Sequence, residues 1–370
     1  MLARIAAMAR IADVRILQPV PCFPVVRPLP QWARSDSHDV EGSRIGHAPM
    51  FYFPGVLKSL DGRWLERAVL RVLPRLGGRQ SFDVLDAHFG FPDGVGCVRL
   101  GRRLGLPAFV TVRGFETDVV DAAASGPQLV SSLNEAAGVI SVSHALRDLL
   151  VSRGVRESQF RVIPNAVDRE LFRPASRCEA RRELGLSDDA PLVVCVGNLI
   201  ELKRHHVLIE AFGRVQASRP GATLAIVGGG EAEPAYEARI RRQAEMPGLG
   251  GAVRFVGRIP AARVAMWLQA ADVFALATSR EGCCNAIIEA LASGRPVVTT
   301  PAGDNATFVR DGVNGFLVPI DDAAATAAAL ERALSRADWD ADAISLGLEV
   351  GAWPDVARKV LDFFEERRAA

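Results

Sequence analysis

Several things are scarce in this chain. Its 370 residues carry six cysteines (Cys22, Cys97, Cys178, Cys195, Cys283, Cys284), and no two are spaced as C-x-x-C. Neither a zinc site nor a disulfide framework is suggested, and the thiols read as reduced, as in a cytosolic protein. No apolar run reaches the length of a membrane span. An excess of one charge is missing as well: the formal net charge is +1, which leaves no electrostatic case for a nucleic-acid partner. No G-x-G-x-x-G joins an opening strand to a helix, which argues against a nicotinamide dehydrogenase. Arg4 and Arg10 interrupt the mildly apolar start, so residues 2–11 read as an amphipathic helix and not as a signal peptide.

What is present suits a globular chain long enough for two domains. After the first helix, residues 12–17 read as a strand. Pro19, Pro21, Pro24, Pro28 and Pro30 then exclude long regular structure across residues 18–49. On residues 61–73, Arg63, Arg67 and Arg71 repeat every four positions beside Trp64, Leu65 and Leu70, with Pro74 closing the helix. Such a basic amphipathic face can dock on anionic lipid or simply be solvated. Short apolar strands at 82–87, 107–112, 138–142 and 160–163 alternate with helices. A second series of strands follows at 192–196, 223–227, 253–256, 273–277 and 296–300. This alternation predicts an α/β protein of two doubly wound domains with parallel sheets. Ligands of such sheets bind beyond the strand carboxyl ends, where His88 and residues 113–118 of the first series fall.

The stretch from Ser279 to Ala290 carries the most chemistry. Glu281 lies in a loop with Gly282, Cys283 and Cys284. Asn285 reads as the N-cap of a helix through Ala292, and Gly294 and Pro296 stop it. Glu289 lies one turn inside. The N–H groups from about Cys284 through Ala286 to Ile287 form a cradle for a phosphate. A loop carboxylate, an anion-binding helix start and a second carboxylate suit a sugar nucleotide. Taken alone, the same pattern also describes a capped helix with two surface glutamates.

Further motifs decide between these. Val196-Gly197-Asn198-Leu199 with Lys203, Ile209-Glu210-Ala211-Phe212, Val227-Gly228-Gly229-Gly230, Val256-Gly257-Arg258 and the pair Glu281 and Glu289 occur in this order. Ser293-Gly294-Arg295-Pro296-Val297-Val298 and Asn314-Gly315-Phe316-Leu317 follow, and Ile163-Pro164-Asn165-Ala166-Val167-Asp168 precedes them. Together they resemble a retaining GT-B glycosyltransferase of family 4, over nearly the whole chain. Pro19-Val20-Pro21, Tyr52-Phe53-Pro54-Gly55-Val56-Leu57-Lys58 and His88-Phe89 through Asp93-Gly94 are similar to members that build surface polysaccharides.

The resemblance implies two Rossmann-like domains facing across a cleft: residues 1–168 on the acceptor side, 169–352 binding the donor nucleotide, and a helix in 353–370 crossing back. It implies transfer of a sugar from a nucleoside-diphosphate sugar to a polysaccharide precursor or lipid-linked acceptor. No cofactor or metal would be needed, since the leaving phosphate takes the acceptor proton in a same-face attack. The setting would be cytoplasmic, at the inner face of the membrane. Lys203 would neutralise the diphosphate, Glu281 would face the sugar, Glu289 the ribose, and Gly257 and Arg258 the base. Glu281, Lys203 and His88 are the catalytic candidates. Donor contacts would run through Asn198, Gly282, Cys283, Cys284, Asn285 and Ala286, and acceptor contacts through His88, Arg113 and Glu116. Gly228 to Gly230 read as a tight turn. His144 caps a helix, and His205 and His206 read as a partly solvated loop.

Four departures stand out. Arg113 stands where relatives often have a histidine, in the strand-end Thr-x-x-Gly motif, so no catalytic histidine is assigned there. Asn198 occupies the place of an arginine in many relatives, with Arg204 or Arg113 as substitutes. Gly303-Asp304-Asn305 replaces a Gly-Gly-x-x-Glu pattern. Family members open with a strand and a Gly-rich turn before the first helix, so the N-terminal domain reads as incomplete, lacking its central strand, with a natural start upstream. A sugar-nucleotide epimerase of the same fold, or a form that binds nucleotide without turnover, are the alternatives.

Overall fold

Thirteen strands and the helices between them fall into two units among the described residues, which in this computed structural model are 1–23, 28–34, 37–40, 43–53 and 56–369. One unit comprises Met1–Asn165 with Trp353–Ala370, the other Ala166–Ala352. Pro24, Pro54 and Gly55, singled out above, lie outside the described residues.

The first unit contains two sheets where one doubly wound sheet was expected. In the smaller, β1 (Ile16–Cys22) runs parallel to β3 (Ser43–Phe51), which pairs antiparallel with β2 (Ser37–Val40). Strand β1 thus begins later than the sequence pattern indicated and runs through the proline-rich stretch. Its position explains the tolerance. Cys22 O accepts from Tyr52 N at 3.1 Å, so alternation turns Val20 and Gln18 toward β3 as well. Pro19 and Pro21 are left on the open edge, where a missing N–H costs nothing.

The larger sheet has the order β4 (Leu85–His88), β5 (Ala108–Val112), β6 (Gly138–Ser141), β7 (Phe160–Val162), all parallel. Every residue of β5 and β6 is buried, as expected of strands covered on both faces. The helix Trp353–Ala369 completes this unit by setting Phe364 and Phe363 against Phe109, with ring centroids 4.2 and 5.8 Å apart.

The second unit is one parallel sheet: β8 (Leu192–Val196), β9 (Thr223–Val227), β10 (Val253–Gly257), β11 (Val273–Leu276), β12 (Val297–Thr299) and β13 (Gly315–Leu317), in the order β10-β9-β8-β11-β12-β13. The chain winds outward from β8 to β10, then returns to the other side of β8. The reversal therefore lies between β8 and β11, where the loops at the strand carboxyl ends diverge and leave a crevice. The helix Arg177–Leu184 is started by Ser176, whose Oγ accepts from Glu179 N, and is stopped by left-handed Gly185. It drives Arg181 fully inside. That guanidinium donates to the carbonyls of Ala270, Ser187, Asp188 and Ala190 and meets Asp272 at 2.8 Å.

Candidate functional site

The loops after β8 and β11 flank the reversal point and are tied together. Leu202 O accepts from Ser279 N at 3.0 Å, Ser279 Oγ at 3.1 Å and Thr278 Oγ1 at 3.2 Å. This pins Lys203, from the first loop, beside Glu281, from the second: Nζ lies 2.5 Å from Oε1, with side chains only 17% and 9% exposed. Burial penalises the ammonium, but the Cys284 sulfur and the Glu281 carboxylate together raise Lys203 above its ordinary range. Burial holds the Cys284 thiol itself neutral, so Glu281 is the working partner.

Two glycines make room for these loops. Gly228 brings β9's end against the loop after β8, where a Cβ would fall 1.8 Å from Gly197 O. Gly303 takes φ +59°, and a Cβ there would fall 2.4 Å from Glu281 O, so its loop backs the acid directly.

The helix Asn285–Ala292 begins where the sequence pattern placed it, but Cys284 holds the N-cap position and no side chain caps it. Asn285 is instead its first, exposed residue. Gly282 and Cys284 are buried, Cys283 and Ala286 half-buried. Glu289 is half-buried, and its carboxyl has no hydrogen-bond partner among the described residues. Burial alone raises it from 4.5 to about 7. The folded protein thus keeps a proton that the unfolded chain has released, so this group's contribution to stability falls as pH rises from about 4.5 to about 7 and is level above. Glu289→Gln is expected to remove that slope and to raise the melting temperature at about pH 8. Thermal melts across this range check it, and an unchanged slope would contradict it.

Asn198 and Arg258 are exposed at the ends of β8 and β10, and Arg258 lies 3.2 Å from the Glu231 carboxylate. Gly257 accepts at its carbonyl from Gly228 N. Arg204, offered as a second cation, lies 2.9 Å from Asp321 and donates to Glu201 O. The partly solvated reading of His205 is overturned. It opens the helix His205–Ser218 fully buried, with both ring nitrogens lacking partners, and burial followed by the Lys203 charge lowers it to about 3. Its neighbour His206 meets Tyr236 Oη at 3.1 Å. At His144 the cap is Ser143, whose Oγ accepts from Leu146 N.

The first unit gathers a separate polar cluster at the ends of β4 and β5. His88 is the last residue of β4 and not part of the following loop. Arg113 Nε donates to its Nδ1 at 3.1 Å, and Arg113 Nη1 donates to Asn165 Oδ1 at 3.2 Å. Nε2 lies 3.5 Å from Asp86 Oδ2 and 3.3 Å from Arg4 Nη2. Burial, more than the neighbouring charges offset, keeps the imidazole neutral. Burial also works against the Asp86 charge, but Arg4, then His88 and Arg113, hold it at about 2. Arg4, 2.7 Å from Asp86 and 3.1 Å from Thr111 Oγ1, reaches this cluster from the helix Leu2–Met8.

Glu116 is fully buried. It accepts Gly90 N at 2.6 Å, Arg113 N at 3.0 Å and Gly114 N at 2.9 Å. Those three N–H bonds hold the two strand-end loops together, which is a tethering place and not the acceptor-facing one the motif suggested. Sequence reasoning named Arg4, Asn165 and Asp93 without a site role and did not mention Asp86. The alternation Asp86-x-His88, which puts both side chains on one face of β4, was the available signal for Asp86. Asp93 is raised to about 6 by burial and then by the Glu116 charge.

Two family descriptions match: a glycosyltransferase family 4 model over residues 25–171 and a group 1 glycosyl transferase model over residues 190–336. A D-inositol 3-phosphate glycosyltransferase of Acidothermus cellulolyticus is 30% identical over 311 residues, 78% of this chain and 69% of that protein. A lipopolysaccharide core biosynthesis glycosyltransferase, LpsE of Rhizobium meliloti, is 38% identical over 152 residues, 41% of this chain and 42% of the relative. Among solved structures, Anabaena HepE in complex with UDP and glucose superposes with a TM-score of 0.72 at 21% identity, covering 88% of this chain and 86% of that one. With both halves matched in sequence and the parallel-sheet units matched in space, the chain belongs to the family 4 glycosyltransferases of the GT-B fold.

Proposed function

We propose that this enzyme moves a sugar, with retention of configuration, from a nucleoside-diphosphate sugar bound at the β8–β11 reversal point to a polysaccharide precursor or lipid-linked acceptor. The observation that carries the donor half is the meeting of Lys203 and Glu281 at 2.5 Å beside the uncapped start of the helix Asn285–Ala292. A lysine ammonium and the N–H groups of a helix start suit a diphosphate. Glu281 would take sugar hydroxyls. Glu289, whose carboxyl has no hydrogen-bond partner among the described residues, would take the ribose hydroxyls and bind them better once ionised. The bound UDP and glucose of HepE, and the lipopolysaccharide core biosynthesis named for LpsE, support this reading.

In the proposed step the bond from the anomeric carbon to the diphosphate oxygen breaks as the acceptor oxygen bonds on the same face. The acceptor proton passes to the departing phosphate. Charge grows on the diphosphate, so Lys203 and the helix N–H groups would supply the rate through electrostatic stabilisation. His88 and Arg113 would contact the acceptor, positioned by Asp86, Arg4 and Glu116.

The test is thermal stabilisation by UDP-, GDP- and ADP-sugars. One of them at a hundredfold excess over its Kd should add about 2.7 kcal/mol. No response to any would sink the proposal, and conversion of the donor alone to another sugar nucleotide would point to an epimerase.

The acceptor reading extends to a membrane surface. Arg63, Arg67 and Arg71 lie exposed on one face of the helix Asp61–Val72 while Leu65, Ala68 and Val72 are buried. None of the three is ion-paired among the described residues, since Glu66 is taken by Arg99 and Arg103. Changing all three to Gln should weaken binding to phosphatidylserine-containing vesicles by about 3 kcal/mol, at about 1 kcal/mol for each charge. Vesicle sedimentation checks this, and unaltered binding would remove the membrane contact. No helix of the described residues is long and apolar enough to cross a membrane.

A further inference from the structure

We propose that the Lys203–Glu281 contact is an exchange latch that favours the sugar-bearing donor over the spent nucleoside diphosphate. This rests on the donor-site reading above. The ammonium meant for the diphosphate is already neutralised at 2.5 Å by a carboxylate that is nine-tenths buried. An incoming diphosphate therefore meets a closed ion pair and not a free cation, and must compete with Glu281 for it.

The competition is confined to side chains. Three hydrogen bonds to Leu202 O hold the two loops together. The loop of Gly303 packs so closely behind Glu281 that a Cβ there would fall 2.4 Å from the Glu281 carbonyl oxygen. A donor that still carries its sugar brings hydroxyl donors for Glu281, so the carboxylate can leave Lys203 and remain hydrogen-bonded. The nucleoside diphosphate left after transfer brings none. Glu281 then falls back on Lys203, and the product loses its counter-ion. One residue would thus reward the sugar and hasten release of the product. No other carboxylate is paired with Lys203 among the described residues.

The experiment measures affinity for whichever of UDP, GDP and ADP binds best, by calorimetry, in the unaltered protein, Glu281→Gln, Lys203→Met and the double variant. Glu281→Gln should bind the nucleoside diphosphate about five- to tenfold more tightly, the scale of a partly buried ion pair that no longer competes. It should bind the sugar-bearing donor less tightly. In the Lys203→Met background the gain should vanish, Lys203→Met and the double variant binding the nucleoside diphosphate with equal affinity.

Equal affinity of the unaltered protein and Glu281→Gln would overturn the latch. A gain that persists without the lysine would overturn it too, because Glu281 would then be acting by simple repulsion. Failure of all three nucleotides to bind the unaltered protein would instead overturn the donor-site reading. Should Glu281→Gln fold poorly by circular dichroism, Glu281→Ala carries the same comparison.

Discussion

Lys203→Met is expected to lower kcat/KM for sugar transfer about a thousandfold, a loss of about 4 kcal/mol of transition-state stabilisation. The reason is local. Methionine keeps the stem and removes only the charge, and Arg204, the nearest replacement in sequence, is engaged with Asp321 and Glu201. The diphosphate would then leave with helix N–H groups alone to receive its charge. Stability should drop as well, by about 3 kcal/mol, because the change strands a mostly buried Glu281 carboxylate. Steady-state kinetics with parallel melts separates the two. Near-normal turnover by a folded Lys203→Met protein would remove this lysine from the chemistry.

Arg181→Leu should cost the second unit about 3–5 kcal/mol, which at about 2–4 °C per kcal/mol lowers its melting temperature by about 6–20 °C. No part of the candidate site is touched. The cost arises because the fully buried guanidinium satisfies the carbonyls of Ala270, Ser187, Asp188 and Ala190 while neutralising Asp272. Leucine fills part of the volume but leaves those acceptors without donors. Arg177, which also contacts Asp272, donates to Asp188 O as well, so it can keep the acid paired but cannot reach every carbonyl. A melting temperature unchanged within a degree or two would show that water replaces the arginine.

The candidate donor residues stand out in the sequence because each is marked by its own neighbours. Glu289 sits at helical spacing before Gly294 and Pro296, and Lys203 sits between a strand end and a helix start. Parallel α/β alternation then puts such residues at strand carboxyl ends. Errors came where the deciding partner was remote. Pro19 and Pro21 looked incompatible with a strand because local rules do not say that β1 would lie at an edge. His205 looked solvated because nothing in Lys203-Arg204-His205-His206 encodes the packing of the following helix. Glu116 looked like an acceptor contact, since a carboxylate after a strand gives no hint that backbone N–H groups from two loops will consume it.

By itself the sequence determined the family and the alternation of strands and helices in both units, and it singled out Lys203, Glu281 and Glu289 as the donor-side candidates. Only the tertiary structure decided that Lys203 and Glu281, 78 residues apart, touch, that Glu289 keeps its proton to near neutrality, and that His88 is held between Arg113 and Asp86. The division has one physical origin. Periodicity and capping act over a few residues and are written locally, whereas burial and ion pairing depend on which strands become neighbours, and that is settled only when the sheet closes.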